Sequence, residues 1–322
     1  MRNHFVAVVA VLLVAVSVAA QNKDMATFLQ TNPTIQLQRQ LAELTKGYDG
    51  KVAFYAKNLA TGDSVGIEPD HVVQTASVIK LPLFLQAFEQ VKAGKIHLDD
   101  KVELTKANQV AGSGVLPFLD PGLKLTLKDT LTLMVLLSDN TATNMSIDAV
   151  GLKATNQMLA DMGLKNTYFY KKVYVKATEP LPADFKQFGL GKTTPREMAA
   201  VMEYIYNCKI GDQKLCDQMK FILRNQQYRS MIPRYIEMPD TSEDLSAIGD
   251  KIGALDEVRN DVAFVITPKG TLIISAFTYD NKDQSWTPEN KAEILIGKMA
   301  KSVVDAWGGG KVSTGGEVAP KN

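Results

Sequence analysis

Three short, separated elements hold the side chains best suited to chemistry. Ser77 and Lys80 form a Ser-x-x-Lys element, Ser138-Asp139-Asn140 begins 61 residues after Ser77, and Lys251-Ile252-Gly253 follows late in the chain. A serine hydroxyl is a weak nucleophile until a base removes its proton, and a lysine whose pKa is lowered by burial can act as that base. Together these elements indicate a serine that becomes acylated during a reaction.

The residues after Ser77 predict the helix that positions this pair. Apolar residues recur at helical spacing as far as Val91, and Gly94 is suited to end the helix. Because residues three apart share a helix face, Lys80 should lie near the hydroxyl of Ser77. The alternative is that Ser77 only caps the helix and Lys80 lies at the surface. The two later elements favour chemistry.

The composition argues against several other classes of function. The chain has three histidines, His4, His71 and His97, and none has metal-ligand spacing around it, so neither a Ser-His-Asp triad nor a zinc site is expected. No phosphate loop or dinucleotide fingerprint is present, and the net charge of +1 gives no reason to expect nucleic-acid binding. We expect no metal and no cofactor.

The first residues predict export. Arg2 precedes an apolar stretch at residues 5–19, and Val18-Ala19-Ala20 before Gln21 fits the small-residue cleavage rule. A membrane anchor would need roughly 20 apolar residues, which is more than this stretch provides. We therefore expect a signal peptide at residues 1–20 and a periplasmic or secreted protein with no membrane anchor after cleavage. Whether the two cysteines, Cys208 and Cys216, form a disulfide in that oxidising compartment is left open.

Two groups of strands flank a helical middle. Residues 51–56 and 65–67 predict a hairpin through Thr61-Gly62-Asp63, and residues 247–253, 262–267 and 271–279 predict three later strands. Helices are predicted from Thr126 to Leu137, from 153 to 162 with a stop at Gly163, from the capping box at 194–197, and from 288 to 307. Residues 308–322 are predicted to be a disordered tail.

With these elements in place, the chain resembles the class A β-lactamases and their close serine hydrolase relatives. The resemblance runs from about residue 51 to residue 307. The matching strings are residues 75–82, 112–116, 125–127, 138–144, 193–199, 251–254 and 259–261.

The resemblance implies an α+β fold with a five-stranded antiparallel sheet made from both chain ends. The terminal helices would flank the sheet, and an all-helical domain would be inserted. On this reading residues 24–80 and 225–307 form the α/β part of a catalytic domain at 21–307, residues 81–224 form the helical part, and the site lies between them. The expected protein is a monomer that acts on a small-molecule β-lactam or a cell-wall peptide.

The resemblance also implies a role for each element. Ser77 would be the nucleophile, Lys80 would take part in proton transfer, and Ser138 would pass a proton to the leaving nitrogen. Asn140 would bind the amide of the substrate side chain, and Lys251 would attract its carboxylate. The alternatives are that 138–140 is an ordinary turn between helices and that Lys251 is a solvated strand-edge lysine.

The third element includes a departure from the family pattern. Gly253 leads to Ala254, whose backbone N–H would form the oxyanion hole together with that of Ser77. Ile252 stands where the family has Thr or Ser, which removes one hydrogen bond of about 1.5 to 3 kcal/mol to the substrate carboxylate. Arg259 would supply part of that contact if it points into the cleft, and otherwise it is a structural arginine.

The second departure concerns hydrolysis of the acyl-enzyme. Glu179 lies 14 residues before Thr193, which fits the loop glutamate that activates water in the family, but Ala183 replaces the asparagine expected four residues later. The alternative is that Glu179 is a surface charge. The preferred function is therefore a β-lactamase. The other candidates are a related cell-wall DD-peptidase or esterase, and a β-lactam sensor that is acylated and stalls.

Overall fold

A computed structural model describes residues 29–238 and 247–313, so the predicted signal peptide lies outside the described residues. The strands are β1 (Lys51–Asn58), β2 (Ser64–Ile67), β3 (Val73–Gln74), β4 (Lys101–Glu103), β5 (Lys124–Thr126), β6 (Tyr168–Phe169), β7 (Gly191–Thr193), β8 (Ile248–Leu255), β9 (Val258–Thr267) and β10 (Gly270–Tyr279). The helices are α1 (Pro33–Thr45), α2 (Lys80–Lys92), α3 (Leu127–Leu136), α4 (Asn140–Val150), α5 (Leu152–Asp161), α6 (Phe185–Phe188), α7 (Pro195–Tyr206), α8 (Gln213–Arg224) and α9 (Lys291–Gly308).

The main sheet has five antiparallel strands in the order β2-β1-β10-β9-β8. This confirms the predicted α+β fold and its sheet built from both chain ends. Strand β9 begins earlier than predicted, because it pairs with β8 through a tight turn at Asp256 and Glu257. The two-stranded sheet β4-β5 and the three-stranded sheet β3-β7-β6 were not predicted.

The two faces of the sheet have different partners, and this decides which side chains can reach a site. Successive side chains of a strand point to opposite faces. In β9, Val262 and Phe264 join the apolar cluster around α2, whereas Ala263 and Val265 join a second cluster against α1 and α9. We call these the inner face and the outer face of the sheet.

Helix α2 is the centre of the inner cluster. It packs against α4, α5 and α7, and its apolar residues are buried on all sides rather than along one stripe. The predicted stop is confirmed, since the helix ends at Lys92 and Gly94 follows at φ +67°. Lys80 is the first residue of this helix, so its side chain lies in an environment with little water.

The predicted helix signals are confirmed with differences of detail. Thr126 and Asp129 form a reciprocal capping box at the start of α3. Thr194 caps α7 by accepting a hydrogen bond from the backbone of Glu197, but the Glu197 carboxylate binds Asn166 and Thr167 instead of completing a box. The last helix begins at Lys291 rather than residue 288, because Asn290 caps it; that side chain accepts hydrogen bonds from the second and third helical N–H groups.

Part of the predicted disordered tail is ordered. Gly308 is the last residue of α9, Val312 is buried in the outer cluster, and the backbone N–H of Ser313 donates to the carbonyl of Ile266. The disorder prediction is thus wrong for residues 308–313, since an apolar residue in this segment finds a place on the sheet. Residues 314–322 lie outside the described residues.

The question left open for the cysteines has an answer in the structure. Cys208 and Cys216 form a disulfide with Cα atoms 5.4 Å apart, and it closes the connection between α7 and α8. In the described part of the chain, no helix combines the length and the apolar character that crossing a bilayer requires.

Candidate active site

Ser77 lies in a short 3₁₀ turn, Ala76–Ile79, that leads into α2. Its side chain is partly exposed while its neighbours in the chain are buried. Ala76 has φ +45°, a backbone conformation that costs an L-residue about 1 to 2 kcal/mol. The N–H of Thr75 donates to the carbonyl of Gly191 at 3.0 Å, and this hydrogen bond holds the turn against β7. The turn therefore presents Ser77 to solvent on a rigid base.

Strand β8 approaches this turn closely at Gly253. A Cβ at this glycine would lie 2.6 Å from the carbonyl oxygen of Thr75 and 2.9 Å from the backbone nitrogen of Ser77. β8 is the edge strand of the main sheet, and no strand of the described residues pairs with its free edge. The backbone of Ala254, the next residue, follows along this edge. The predicted oxyanion pair, Ser77 and Ala254, thus comes from two segments in direct contact.

Lys80 is fully buried at the start of α2. Its Nζ donates to the carbonyl of Ser138 at 2.6 Å, to Oδ1 of Asn140 at 3.0 Å and to Oγ of Ser138 at 3.2 Å. Burial lowers the pKa of Lys80 well below its usual range, the positive charge of Lys251 lowers it further, and Asp139 opposes both. A lowered pKa favours the neutral amine, which is the form that can accept a proton.

Lys251 approaches the same hydroxyl from the sheet. Its buried Nζ donates to Oγ of Ser138 at 3.1 Å and to the carbonyl of Ile252 at 2.8 Å. Burial lowers its pKa to about 7, and the nearby carboxyl groups of Asp250 and Asp261 act in the opposite direction. Lys251 therefore keeps part of its positive charge near neutrality and can attract an anionic group.

The turn at residues 138–140 joins these groups and also starts α4. Asp139 caps the helix by accepting from the backbone of Ala142 at 2.8 Å, and it accepts from Val115 at 2.7 Å. Ser138 has φ +52°. Oδ1 of Asn140 accepts from Lys80, while its Nδ2 donates to the carbonyl of Ala111 at 3.1 Å. One residue caps the helix, and its two neighbours face the lysines.

The structure does not bring Glu179 to these groups. Its side chain is exposed in the loop between β6 and α6, whereas Lys80 forms its hydrogen bonds with Ser138 and Asn140. Ala183 is exposed in the same loop. The role predicted for Glu179 remains a prediction.

A different part of this loop is fastened to the active-site helix. Asn144 lies one turn after Asn140, and its Nδ2 donates to the carbonyl of Val173 at 3.0 Å. Its Oδ1 accepts from the N–H of Val173 at 2.8 Å. Val173 is buried and lies six residues before Glu179. The loop thus offers an apolar side chain at the point where it is tied beside the Lys80–Asn140 pair.

Asp184, the next carboxylate after Glu179, is committed to other partners. Nζ of Lys192 donates to its Oδ2 at 2.5 Å. This hydrogen bond lowers the pKa of Asp184. Its negative charge is already paired.

The expectation that Arg259 contacts the substrate is wrong. Arg259 lies on the outer face of β9 and is fully buried. Its Nε donates to Glu293 on α9 at 3.1 Å, its Nη2 donates to the carbonyl of Ser285 at 2.7 Å, and its guanidinium stacks on Trp286. Because side chains alternate along the strand, Asn260 faces the site instead, where its Nδ2 donates to the carbonyl of Gln74 at 2.9 Å.

Ile252 follows the same alternation. It is half-buried and packs against the outer cluster, between the inward-facing Lys251 and Gly253. The position therefore contributes apolar packing to the back of the strand.

The sequence reasoning did not identify an acid pair behind Lys251. Asp250 and Asp261 are fully buried on the outer face of neighbouring strands. Burial raises the pKa of both, that of Asp261 to about 7. Oδ2 of Asp261 accepts from the N–H of Ile232 at 2.9 Å, and Nη1 of Arg229 lies 3.4 Å from Asp250. The signal was present, since Asp250 flanks Lys251 and Asp261 ends the string that begins at Arg259.

Nothing in the described ranges suggests a metal centre, because no group of three or more His, Cys, Asp or Glu side chains there is placed to hold an ion. The chemistry of the site is that of two amines, three hydroxyl or amide side chains, and backbone N–H groups.

Known proteins are similar to this chain in sequence and in fold. A β-lactamase from Sphaerobacter thermophilus DSM 20745 superimposes with a TM-score of 0.73 at 31% identity, over 84% of this chain and 97% of that one. β-Lactamase VEB-1 of Pseudomonas aeruginosa is 23% identical over 279 residues, or 83% of this chain and 89% of the relative. The β-lactamase regulatory protein BlaB of Streptomyces cacaoi is 28% identical over 116 residues, which make up 35% of this chain and only 37% of that protein. Because residues 36–307 match the beta-lactamase enzyme family, the chain belongs to this family of serine hydrolases.

Proposed function

We propose that the protein opens β-lactam amides by forming an acyl-enzyme on Ser77. The supporting observation is that two buried lysine amines donate hydrogen bonds to the hydroxyl of Ser138. Nζ of Lys80 and Nζ of Lys251 lie 3.2 and 3.1 Å from Oγ of Ser138, next to the turn that exposes Ser77.

In the acylation step, one proton is transferred overall from the hydroxyl of Ser77 to the leaving nitrogen. Oγ of Ser77 attacks the β-lactam carbonyl carbon, and the neutral amine of Lys80 takes the hydroxyl proton. The ring C–N bond breaks, the leaving nitrogen takes the hydroxyl proton of Ser138, and Lys80 returns a proton to Ser138. The product is an ester on Ser77, and the serine proton has moved to the substrate nitrogen.

Other groups hold the substrate during this step. The N–H groups of Ser77 and Ala254 would stabilise the oxyanion, where loss of one donor costs about 10²- to 10³-fold in rate. Lys251 would attract the substrate carboxylate. Asn140 uses one of its two amide N–H groups on Ala111, which leaves the other for the amide of the substrate side chain.

The fate of the acyl-enzyme distinguishes two candidate functions. A β-lactamase needs a base that activates water, and Glu179 is the carboxylate assigned to that role from the sequence. The second candidate is a cell-wall peptidase or a stalled sensor, for which β-lactams act as slow inhibitors. It is favoured by the exposure of Glu179 and by the buried, apolar Val173 in the segment held by Asn144. VEB-1 and BlaB, a β-lactamase and a β-lactamase regulatory protein by name, fit one candidate each.

Export is part of the proposal. Both β-lactams and cell-wall peptides are met outside the cytoplasm, and residues 1–20 have the pattern of a cleaved leader. Expression of the full chain in a Gram-negative host should give a periplasmic protein that begins at Gln21. An uncleaved chain in the cytoplasm would contradict this location.

The deciding experiment follows colour and intact mass together after the mature protein is mixed with a chromogenic cephalosporin. Sustained colour with no lasting adduct means a β-lactamase, and one equivalent of colour with a stable adduct means a peptidase or a sensor. Ser77→Ala should show neither. Ser64→Ala, at an exposed serine on β2, is the matched control and should behave as wild type. Absence of both signals in the wild type would overturn the proposal.

A further inference from the structure

Tyr174 is an exposed aromatic residue beside the candidate site that no step above uses. Its side chain is 70% exposed, although it directly follows the buried Val173. The Asn144 side chain binds both backbone groups of Val173, so the start of Tyr174 is held at a fixed position. An exposed ring on a fixed backbone is available for contact with another molecule.

Gly112 shows where the ring lies. A Cβ at this glycine would be 2.5 Å from Nδ2 of Asn140 and 3.4 Å from Cε2 of Tyr174. The ring is therefore next to the amide that we expect to bind the substrate side chain. Gly112 has φ +96°, and its missing side chain leaves the space between ring and amide open.

The backbone of Tyr174 is strained, as it is in the two turns of the site. It has φ +54°, a conformation that L-residues other than Asn and Asp rarely adopt. Ala76, which precedes the nucleophile, and Ser138, the proton relay, have φ +45° and +52°, and Glu68, Cys208 and Asp280 share this region elsewhere in the described chain. Such strained positions concentrate at functional sites. Tyr174 shares this feature with the two turns that build the site.

We propose that Tyr174 forms one wall of the subsite for the substrate's acyl side chain, and that the site prefers side chains with a flat aromatic or apolar group. This inference rests on the proposed acylation of Ser77. When Asn140 holds the side-chain amide, the group attached to that amide must extend past Asn140, where the ring of Tyr174 lies. Flat groups stack on such a ring, whereas a substrate without this side chain gains nothing from it.

The test compares two substrates with the same nucleus. Benzylpenicillin has an aromatic acyl side chain, and 6-aminopenicillanic acid has none. Acylation rates of Ser77 are measured by intact mass for wild type, Tyr174→Ala and Tyr174→Phe. We expect Tyr174→Ala to slow acylation by benzylpenicillin about three- to tenfold. Its rate with 6-aminopenicillanic acid should stay unchanged, and Tyr174→Phe should resemble wild type with both.

The control is Tyr235→Ala, at a tyrosine that contacts Gly297 of α9 on the outer side of the sheet. It should leave the ratio of the two rates unchanged. If Tyr174→Ala lowers the acylation rate equally with both substrates, or with neither, Tyr174 does not form a wall of the side-chain subsite. If wild type is acylated by neither compound, the proposed function fails, and this inference fails with it.

Discussion

Lys80 and Lys251 donate to the same oxygen atom, the hydroxyl Oγ of Ser138, although one starts the central helix and the other lies on the edge strand. Two ammonium groups this close repel each other, and the charge of Lys251 accordingly lowers the pKa of Lys80. The arrangement couples substrate binding to the base. A lysine that attracts the substrate carboxylate also helps to keep the other lysine neutral.

This coupling predicts the effect of Lys251→Met on the pH profile. Without the charge of Lys251, the pKa of Lys80 should rise, because one of the two causes that lower it is gone. Acylation requires neutral Lys80, so the pH at which its rate begins to increase should move upward. The measurement is the acylation rate constant from pH 5 to pH 9, with Lys101→Met, an exposed lysine on β4, as control. An unmoved profile would show that the two amines do not interact.

The pKa of Lys251, about 7, predicts how affinity depends on pH. Lys251 is charged below this value and loses its proton above it, so attraction for the substrate carboxylate is present at low pH and is lost as pH rises. In Ser77→Ala, where acylation cannot occur, Kd for a penicillin should rise roughly fivefold from pH 7 to pH 8. The methyl ester of the same penicillin is the control, and its Kd should not change. If Kd depends on pH in the same way for the penicillin and for its methyl ester, a group other than Lys251 binds the carboxylate.

The disulfide predicts a loss of stability on reduction. Cys208 and Cys216 are eight residues apart, and closing a loop of this size stabilises a fold by about 2 to 3 kcal/mol in the chain-entropy account. A reducing agent should therefore lower the Tm of the wild type. The double variant Cys208→Ser/Cys216→Ser should have that lower Tm with or without the agent. Acylation of Ser77 should survive in the double variant, since the bridge links α7 and α8 outside the described site.

The parts of the molecule that follow from local pattern could be predicted from the sequence. Alternating apolar residues and turn residues identified the five strands, and Thr126 with Asp129 marked a helix start. The order of the three motifs identified Lys80, Ser138 and Lys251, whose side chains meet although 58 residues separate Lys80 from Ser138 and 113 separate Ser138 from Lys251. Such motifs identify the reactive residues even when the fold of the chain between them is unknown.

The parts that depend on long-range register could not be predicted. Arg259 and Asn260 are neighbours, and only the pairing of β9 with β8 decides which of them faces the site. The loop between β6 and α6 has no periodicity, so a spacing of residues could not show that Asn144 fastens it at Val173 rather than at Glu179. That contact spans 29 residues and depends on one amide side chain.

The exposure of Glu179 predicts that Glu179→Gln leaves the lifetime of the acyl-enzyme unchanged. A general base must reach the attacking water within hydrogen-bond distance, directly or through one water. The structure gives no contact between this side chain and Lys80 or Asn140. The lifetime is measured by intact mass after brief exposure to benzylpenicillin. An adduct that persists much longer in Glu179→Gln than in wild type would restore Glu179 as the hydrolytic base.

The anchoring of Val173 predicts where a hydrolytic base would be effective. Asn144 holds this residue by both backbone groups, one helical turn from the amide that receives the hydrogen bond of Lys80. A carboxylate placed there would be positioned by the backbone and could take a proton from a water beside the Ser77 ester. A positioned general base contributes about 10²- to 10⁴-fold, so Val173→Glu should shorten the acyl-enzyme lifetime by at least about tenfold even with imperfect geometry.

Val173→Gln is the matched control for this change, because it has nearly the same shape without the base. The two variants should have similar Tm values and similar acylation rates, and only Val173→Glu should release hydrolysed penicillin faster than wild type. Faster release should grow with pH until the new carboxyl group is ionised and then level off. Equal lifetimes in both variants would mean that water does not reach the ester from the side of Val173.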